Sequence, residues 1–272
     1  MSRLMERGLG VLAAASIAAA ASAQFSNPSF ESGFSGWSTI GDAQIETSSI
    51  GTYPTDGSNQ ALLATATDGT INTDVVAGSG VGGSALESFL QVGSGTIASV
   101  GNGNPVLGSA TVQTVVLSAG QTVKFDWDFL TNQVYNDGTA DSYAPLASND
   151  DFAFLTVAPV GNPSQSQIFK LADVFDGYVS DPNAPGGFDT AFHITPALDP
   201  FISETLYSTY SWTASTGGSY VIGVGSVHVT AGADDGINSA VLADNFRVVP
   251  EPASLCAFGL LSLGLLRRRR SR

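Results

Sequence analysis

LGSATVQTVVLSAGQTVKFDWDFLTN, residues 107–132, decides the fold class. Two runs with the composition of strands, 111–117 and 122–129, flank Ser118-Ala119-Gly120. In the second run Val123, Phe125, Trp127 and Phe129 alternate with Thr122, Lys124, Asp126 and Asp128. A period of two sends successive side chains to opposite faces of a sheet, so one face of this strand is expected to be buried and the other wet. The two runs read as an antiparallel hairpin.

Outward from this pair the chain keeps the same grammar: short β-branched or aromatic runs separated by Gly, Ser, Thr, Asn and Asp. That pattern predicts many strands joined by tight turns. Strands are expected at 43–47, 60–65, 69–76, 152–157, 166–172, 207–214, 220–230 and 239–248. The run at 152–157 (FAFLTV) is apolar on both faces and so central in its sheet. Residues 84–91 predict a short helix, with Ala85, Leu86, Phe89 and Leu90 on one face and Ser84 and Glu87 spaced as a capping box. Residues 180–187 form a loop too short to link domains. The fold class is therefore all-β, a β-sandwich with one or two short helices, over residues 24–248.

The ends differ from this body. Arg3 and Arg7 precede an apolar stretch at 8–20 and a small-residue cleavage site, Ala21-Ser22-Ala23, the layout of a secretory signal peptide over residues 1–23. The tail, 249–272, joins Pro250-Glu251-Pro252 to an apolar run at 253–266 and then to Arg267, Arg268, Arg269 and Arg270. That run falls short of the ~20 apolar residues of a stable span, and arginines left on the cytoplasmic side fix its direction. Between the ends, Lys124, Lys170 and Arg247 are the three cations against 22 carboxylates, a formal charge of −19 over 24–248. Such a field repels nucleic acid and anionic lipid and concentrates divalent cations, calcium among them. Cys256, the one cysteine, lies in the tail, which excludes a disulfide framework, a thiolate metal site and a cysteine nucleophile.

Few motifs carry chemistry. Residues 78–83 satisfy GxGxxG, but no acidic residue follows between Glu87 and Asp126 to hold a ribose, so the stretch reads as a turn. His193 and His228 have no zinc-protease spacing, and GxSxG is absent. Asp126 and Asp128 stand about 6.5–7 Å apart on one strand face, near the spacing of an inverting glycosidase pair. They project side by side, however, which favours a solvated face or a share in a cation site. Neither Asp234-Asp235-Gly236 nor Asn136-Asp137-Gly138 has the order of an EF-hand loop. Asp244 shares the period-two side of Leu242 and Phe246, which reads as the core side, and a carboxylate there needs a partner. Tyr53, Tyr135, Tyr143, Tyr178 and Tyr207 lie in or near polar loops where they could stack on sugars, and nothing in the sequence chooses among them. Trp37, Trp127 and Trp212 sit in strand patterns and read as core.

Two resemblances add to this reading. The tail resembles the C-terminal sorting signal of PEP-CTERM proteins, which implies recognition of Pro250, Glu251 and Pro252 by an exosortase-type membrane protease. It implies transient anchoring in the inner membrane and delivery to the cell surface or beyond. Residues 107–132 are also similar to a segment recurrent in such proteins. The opening Asn27-Pro28-Ser29-Phe30-Glu31-Ser32-Gly33, followed by Gly36-Trp37, resembles the first strand and turn of jelly-roll sandwiches of the carbohydrate-binding-module type. That resemblance implies a jelly roll whose first and last strands lie together, with a structural calcium held by Glu31 and Asp244. The alternative is a hydrogen-bonded Asp244 at a strand end and a solvated Glu31. The expected function is a non-catalytic surface or matrix protein associated with exopolysaccharide, glycan-binding and calcium-stabilised. A secreted polysaccharide hydrolase or lyase and a purely structural or adhesive surface protein are its rivals.

Overall fold

A computed structural model describes residues 24–65, 80–101, 103–131, 150–173, 201, 203–229 and 239–250. Within them two antiparallel sheets face each other. The first has the order β1 (Ser38–Ile40), β4 (Pro105–Leu117), β10 (Gly218–Val229), β6 (Phe152–Pro159), β7 (Gln167–Asp173). The second has the order β2 (Asp42–Glu46), β3 (Gln60–Ala64), β11 (Ser239–Val249), β5 (Thr122–Thr131), β8 (Ser203–Glu204), with β9 (Ser208–Thr213) also paired to β5. The chain crosses repeatedly from one sheet to the other, the wiring of a jelly-roll type β-sandwich. Gly41 makes the first crossing, between β1 and β2, at φ +78°. A Cβ there would stand 2.6 Å from the Gly108 carbonyl oxygen, so only glycine fits. The strand expected at 69–76 lies outside the described residues.

The inner core is aromatic. Phe246 packs against Trp37 (ring centroids 4.7 Å), Phe125 (4.8 Å, stacked), Phe25 (5.3 Å) and Phe30 (6.0 Å). The opening residues reach this cluster as a series of turns rather than as the expected strand. Asn27 holds the turns by donating to the Gly33 carbonyl (2.6 Å) and accepting from the Ser32 amide (3.1 Å), and the Phe246 amide donates to the Pro28 carbonyl (3.0 Å). The opening segment thus does lie against the last strand.

Four local expectations are corrected. The runs 111–117 and 122–129 are not a hairpin: β4 pairs with β1 and β10, whereas β5 pairs with β11, β8 and β9. Residues 118–121 therefore arch between the sheets, which lets Val115 and Leu117 join Val123 and Phe125 in one core. The helix, α1 (Gly83–Phe89), starts from Gly82 without a side-chain cap. Glu87 turns away from Ser84 and accepts from the Gly95 (3.0 Å) and Ile97 (2.9 Å) amides. The face of β5 expected to be wet is largely covered, with Asp126 and Asp128 both buried. Asp244 and Phe246 do not share a side: the β11–β5 register shifts between Asp244 and Arg247, and Asn245 has φ +53°. This bulge turns Phe246 into the inner core and leaves Asp244 on the outer face beside Leu242.

Candidate functional site

The outer face of the second sheet carries the candidate site. Its floor is a small apolar cluster of Ile50, Leu62, Ala64, Leu130, Phe201, Ala240 and Leu242, with Tyr207 against it. The segment from Ile50 to Asn59 lies over this floor and is gripped by two carboxylates. Asp244 Oδ2 accepts from the Thr55 amide (2.7 Å), the Thr55 hydroxyl (3.0 Å) and the Asp56 amide (2.8 Å), and its Oδ1 accepts from the Asn245 amide (2.7 Å). Glu31 Oε1 accepts from the Ser58 (2.7 Å) and Asn59 (2.8 Å) amides. Gly57, at φ +78°, gives the Glu31 side chain its room, since a Cβ there would collide with it. Both predicted residues therefore meet one loop, as first and last segments placed together require.

Deeper acids continue the row along β5. Asp126 stands opposite Asp244 in the register. It accepts from Thr209 (2.6 Å), Asn245 (2.8 Å) and Thr55 (3.1 Å), with Arg247 at 3.4 Å. Burial pushes its acidity down, but the hydrogen bonds from Thr209 and Asn245 and the Arg247 charge outweigh that and hold its carboxyl below the usual range. Asp128 is fully buried, and burial, with Glu204 next to it, raises its carboxyl well above the ordinary value. Asp244 is raised to about 6 by burial, against the opposing pull of the Asp56, Asn245 and Thr55 donors. Tyr207 donates to Gln60 Oε1 and is raised well above its normal value, first by burial and then by the charges of Asp128, Asp244, Asp126 and Glu204.

A shared calcium fits these residues poorly. Calcium takes six to eight oxygen ligands, whereas both oxygens of Asp244 and Oε1 of Glu31 already accept from N–H and hydroxyl donors. Among the described residues, no group of three or more His, Cys, Asp or Glu side chains gathers as a ligand set. His228 lies in the interior, its Nδ1 2.7 Å from Asp151 Oδ1, where Asp151 also accepts from the Val229 amide (3.0 Å). His193, Tyr135, Tyr143 and Tyr178 lie outside the described residues, as do Ala21, Ala23, Glu251, Pro252 and Arg267 to Arg270. Trp37 and Trp127 are core residues as expected, while Trp212 is half-buried and donates to Gln167 (2.9 Å). Thr55, Asn245 and Glu204 were not among the candidate residues singled out in the sequence. The run Tyr-Pro-Thr-Asp-Gly at 53–57 has the composition of a turn and would have marked the loop. Nothing local could have marked Glu204.

Tyr53 is 73% exposed on this loop, and among the described residues it is the one aromatic side chain presented to solvent. Two and three residues further along the same loop, Thr55 and Asp56 are exposed and add a hydroxyl and a carboxylate, while Asp126 below them is buried. The loop thus offers a flat ring together with a hydroxyl and a carboxylate on one exposed stretch.

At the end of the body Pro250 leaves β11 exposed, and residues 248–270 match the model of the PEP-CTERM protein-sorting motif. The chain carries a PEP-CTERM sorting motif. The motif implies an exported protein with a C-terminal tail sorted to the cell surface, in agreement with the order of Pro250, Glu251, Pro252, apolar run and arginines. No helix among the described residues is long and apolar enough to cross a membrane. No curated protein matches the chain. Among solved structures, the body is similar to TmCBM61 in complex with β-1,4-galactotriose, at 12% identity over 84% of this chain and 99% of that one, TM-score 0.39. It is also similar to the K2 cleaved adhesin domain of Lys-gingipain, at 13% identity over 82% and 96%, TM-score 0.35. A third is the enzymatically active domain of bacteriophage CBA120 tailspike protein 4, at 10% identity over 82% of this chain and 20% of that one, TM-score 0.34.

Proposed function

We propose that this PEP-CTERM protein is a non-catalytic, exported surface or matrix protein that binds an extracellular polysaccharide through the Tyr53 face of its β-sandwich. The observation that carries the reading is Tyr53 itself. An aromatic ring held in water by a loop anchored at both ends is a preformed stacking platform. The exposed Thr55 hydroxyl and Asp56 carboxylate on the same loop suit the hydroxyl groups of a sugar. Processing by an exosortase-type protease at Pro250-Glu251-Pro252 would release the body after Arg267 to Arg270 have held the tail at the membrane.

The sites closest to a glycosidase pair support the non-catalytic reading. Asp128 is closed off from solvent and Asp126 is committed to Thr55, Thr209, Asn245 and Arg247. Neither is free to protonate a leaving group or activate water from opposite sides of a sugar. The reading does not require a structural calcium, since amides of Thr55, Asp56, Ser58, Asn59 and Asn245 serve Asp244 and Glu31 Oε1. Binding of the purified protein to a panel of polysaccharides is the test. Tyr53→Ala should weaken binding at least ~10-fold, an effect of the order of one stacked ring, while leaving stability within about 0.5 kcal/mol. Saturable binding that is indifferent to Tyr53→Ala would remove the proposed face, and hydrolysis of any panel member would remove the non-catalytic reading.

A further inference from the structure

Asp128 and Glu204 meet where β5 and β8 pair beneath the segment that carries Tyr53. Leu130 stands opposite Glu204 in the register, and Thr205 donates both its amide (3.1 Å) and its hydroxyl (3.0 Å) to Asp128 Oδ1. No N–H or hydroxyl among the described residues reaches Asp128 Oδ2. Glu204, opposite Leu130, stands diagonally across the β5–β8 pairing from Asp128, and its carboxyl, another acceptor, is the charged neighbour of Asp128 there. Glu204 in turn accepts the Thr52 hydroxyl on Oε2 at 2.8 Å, one residue before Tyr53. Both acids are buried.

Two ionised carboxylates in contact and out of water repel each other, whereas one proton between them makes the contact a hydrogen bond. A hard cation could also neutralise the pair, but it would want six to eight oxygens, and no third carboxylate joins these two as a ligand set among the described residues. We propose that Asp128 and Glu204 share one proton, and that this proton latches the Thr52–Tyr53 segment to the second sheet. The functional consequence, a glycan face held more firmly in mildly acid than in alkaline surroundings, rests on the glycan reading above. The latch itself does not.

The groups around the pair leave the proton without a substitute. Asp126 lies on the same strand, Asp244 and Arg247 come from β11, Tyr207 follows β8, and Glu46 of β2 holds Ser49 at the start of the covering segment. Arg247 is the only cation among them, and it faces Asp126. Burial first, then Glu204, raises the Asp128 carboxyl from its ordinary 3.8. Between that value and the raised one the folded chain binds more protons than the unfolded chain. The contribution is therefore complete in acid and is lost as pH rises through the raised value.

Melting curves at pH 5 and pH 8 for the wild type, Asp128→Asn and Glu204→Gln test the latch, since either amide supplies a permanent N–H in place of the shared proton. The wild-type Tm is expected to fall between the two pH values by roughly 5 °C more than that of either variant. At pH 8, amides of residues 50–56 should exchange faster in the wild type than in Asp128→Asn. If one variant fails to fold, the other carries the same comparison. Equal pH slopes in all three proteins overturn the proposal. So does a rise in the wild-type Tm at pH 8 on adding calcium chloride that both variants abolish, because a cation then occupies the pair. Loss of all polysaccharide binding with the slopes as expected rejects the glycan reading and leaves the latch standing.

Discussion

The two faces of the second sheet are built from alternate residues of the same strands, yet they are closed off from water in opposite ways. On the inner face Phe125, Trp127, Phe129, Val241 and Ala243 pack into an apolar core with residues of the other sheet. On the outer face Asp126, Asp128 and Asp244 lie between Leu242 and the covering segment, and each is buried with a different answer to its charge. Asp126 has hydroxyls, an amide and an arginine, Asp244 has backbone amides, and Asp128 has another acid. Period-two alternation identifies which residues share a face. Whether water reaches that face depends on a loop from elsewhere in the chain.

The largest effect that would test this contrast lies on the inner side. Phe246 touches Phe25, Phe30, Trp37 and Phe125, and so ties the opening segment, the last strand and β5 together. Phe246→Ala should cost about 3–5 kcal/mol in urea unfolding, the range of a buried aromatic whose cavity cannot collapse. A loss below ~1 kcal/mol would show that the rings are not one packed unit, and the inner face would then differ less from the outer one.

Much of the sandwich was legible because strand composition and turn residues are local signals. The runs that became β2, β3, β6, β7, β9, β10 and β11 all stood out in this way, as did the burial of Trp37 and Trp127. Partnership was harder to read. The arch at 118–121 and a hairpin turn have the same sequence signature, and only the competition among all strands for inner-face partners separates them. The bulge at Asn245 defeated strict alternation for a related reason: one extra residue reverses every face after it. Glu31 and Asp244 were singled out together as calcium ligands on a resemblance; that both accept amides of one loop was not legible, because no spacing reveals where that loop lies. Glu204 reaches Thr52 across a separation of 152 residues, and a two-residue strand leaves no periodicity to read.

A smaller effect is expected on the outer face, at Asp244. Asp244→Ala leaves the Thr55, Asp56 and Asn245 amides without their acceptor, which should cost about 2–4 kcal/mol. Asp244→Asn keeps an acceptor for some of these donors but brings an NH2 group against the others, so it should fall between alanine and the wild type. An alanine variant as stable as the wild type would mean that water replaces the carboxylate. The outer face would then be a wet surface, as alternation alone suggests.

The smallest expected effect separates an amide-bound lid from a metal-bound one. Exhaustive treatment with a chelator should shift the melting temperature by less than about 1 °C, because Glu31 Oε1 and the two oxygens of Asp244 already accept from five backbone amides: Ser58, Asn59, Thr55, Asp56 and Asn245. An N–H group points its positive end at the oxygen it serves, and a cation approaching the same oxygen meets that charge. To bind calcium, the loop would have to turn carbonyls where it now presents amides, which means refolding residues 55–59 around the ion. A melting temperature that drops by several degrees in chelator and returns with calcium would show that this rearrangement happens. The outer face would then owe its closure to a metal, and its acids would have to be read as ligands instead of as acceptors for the backbone.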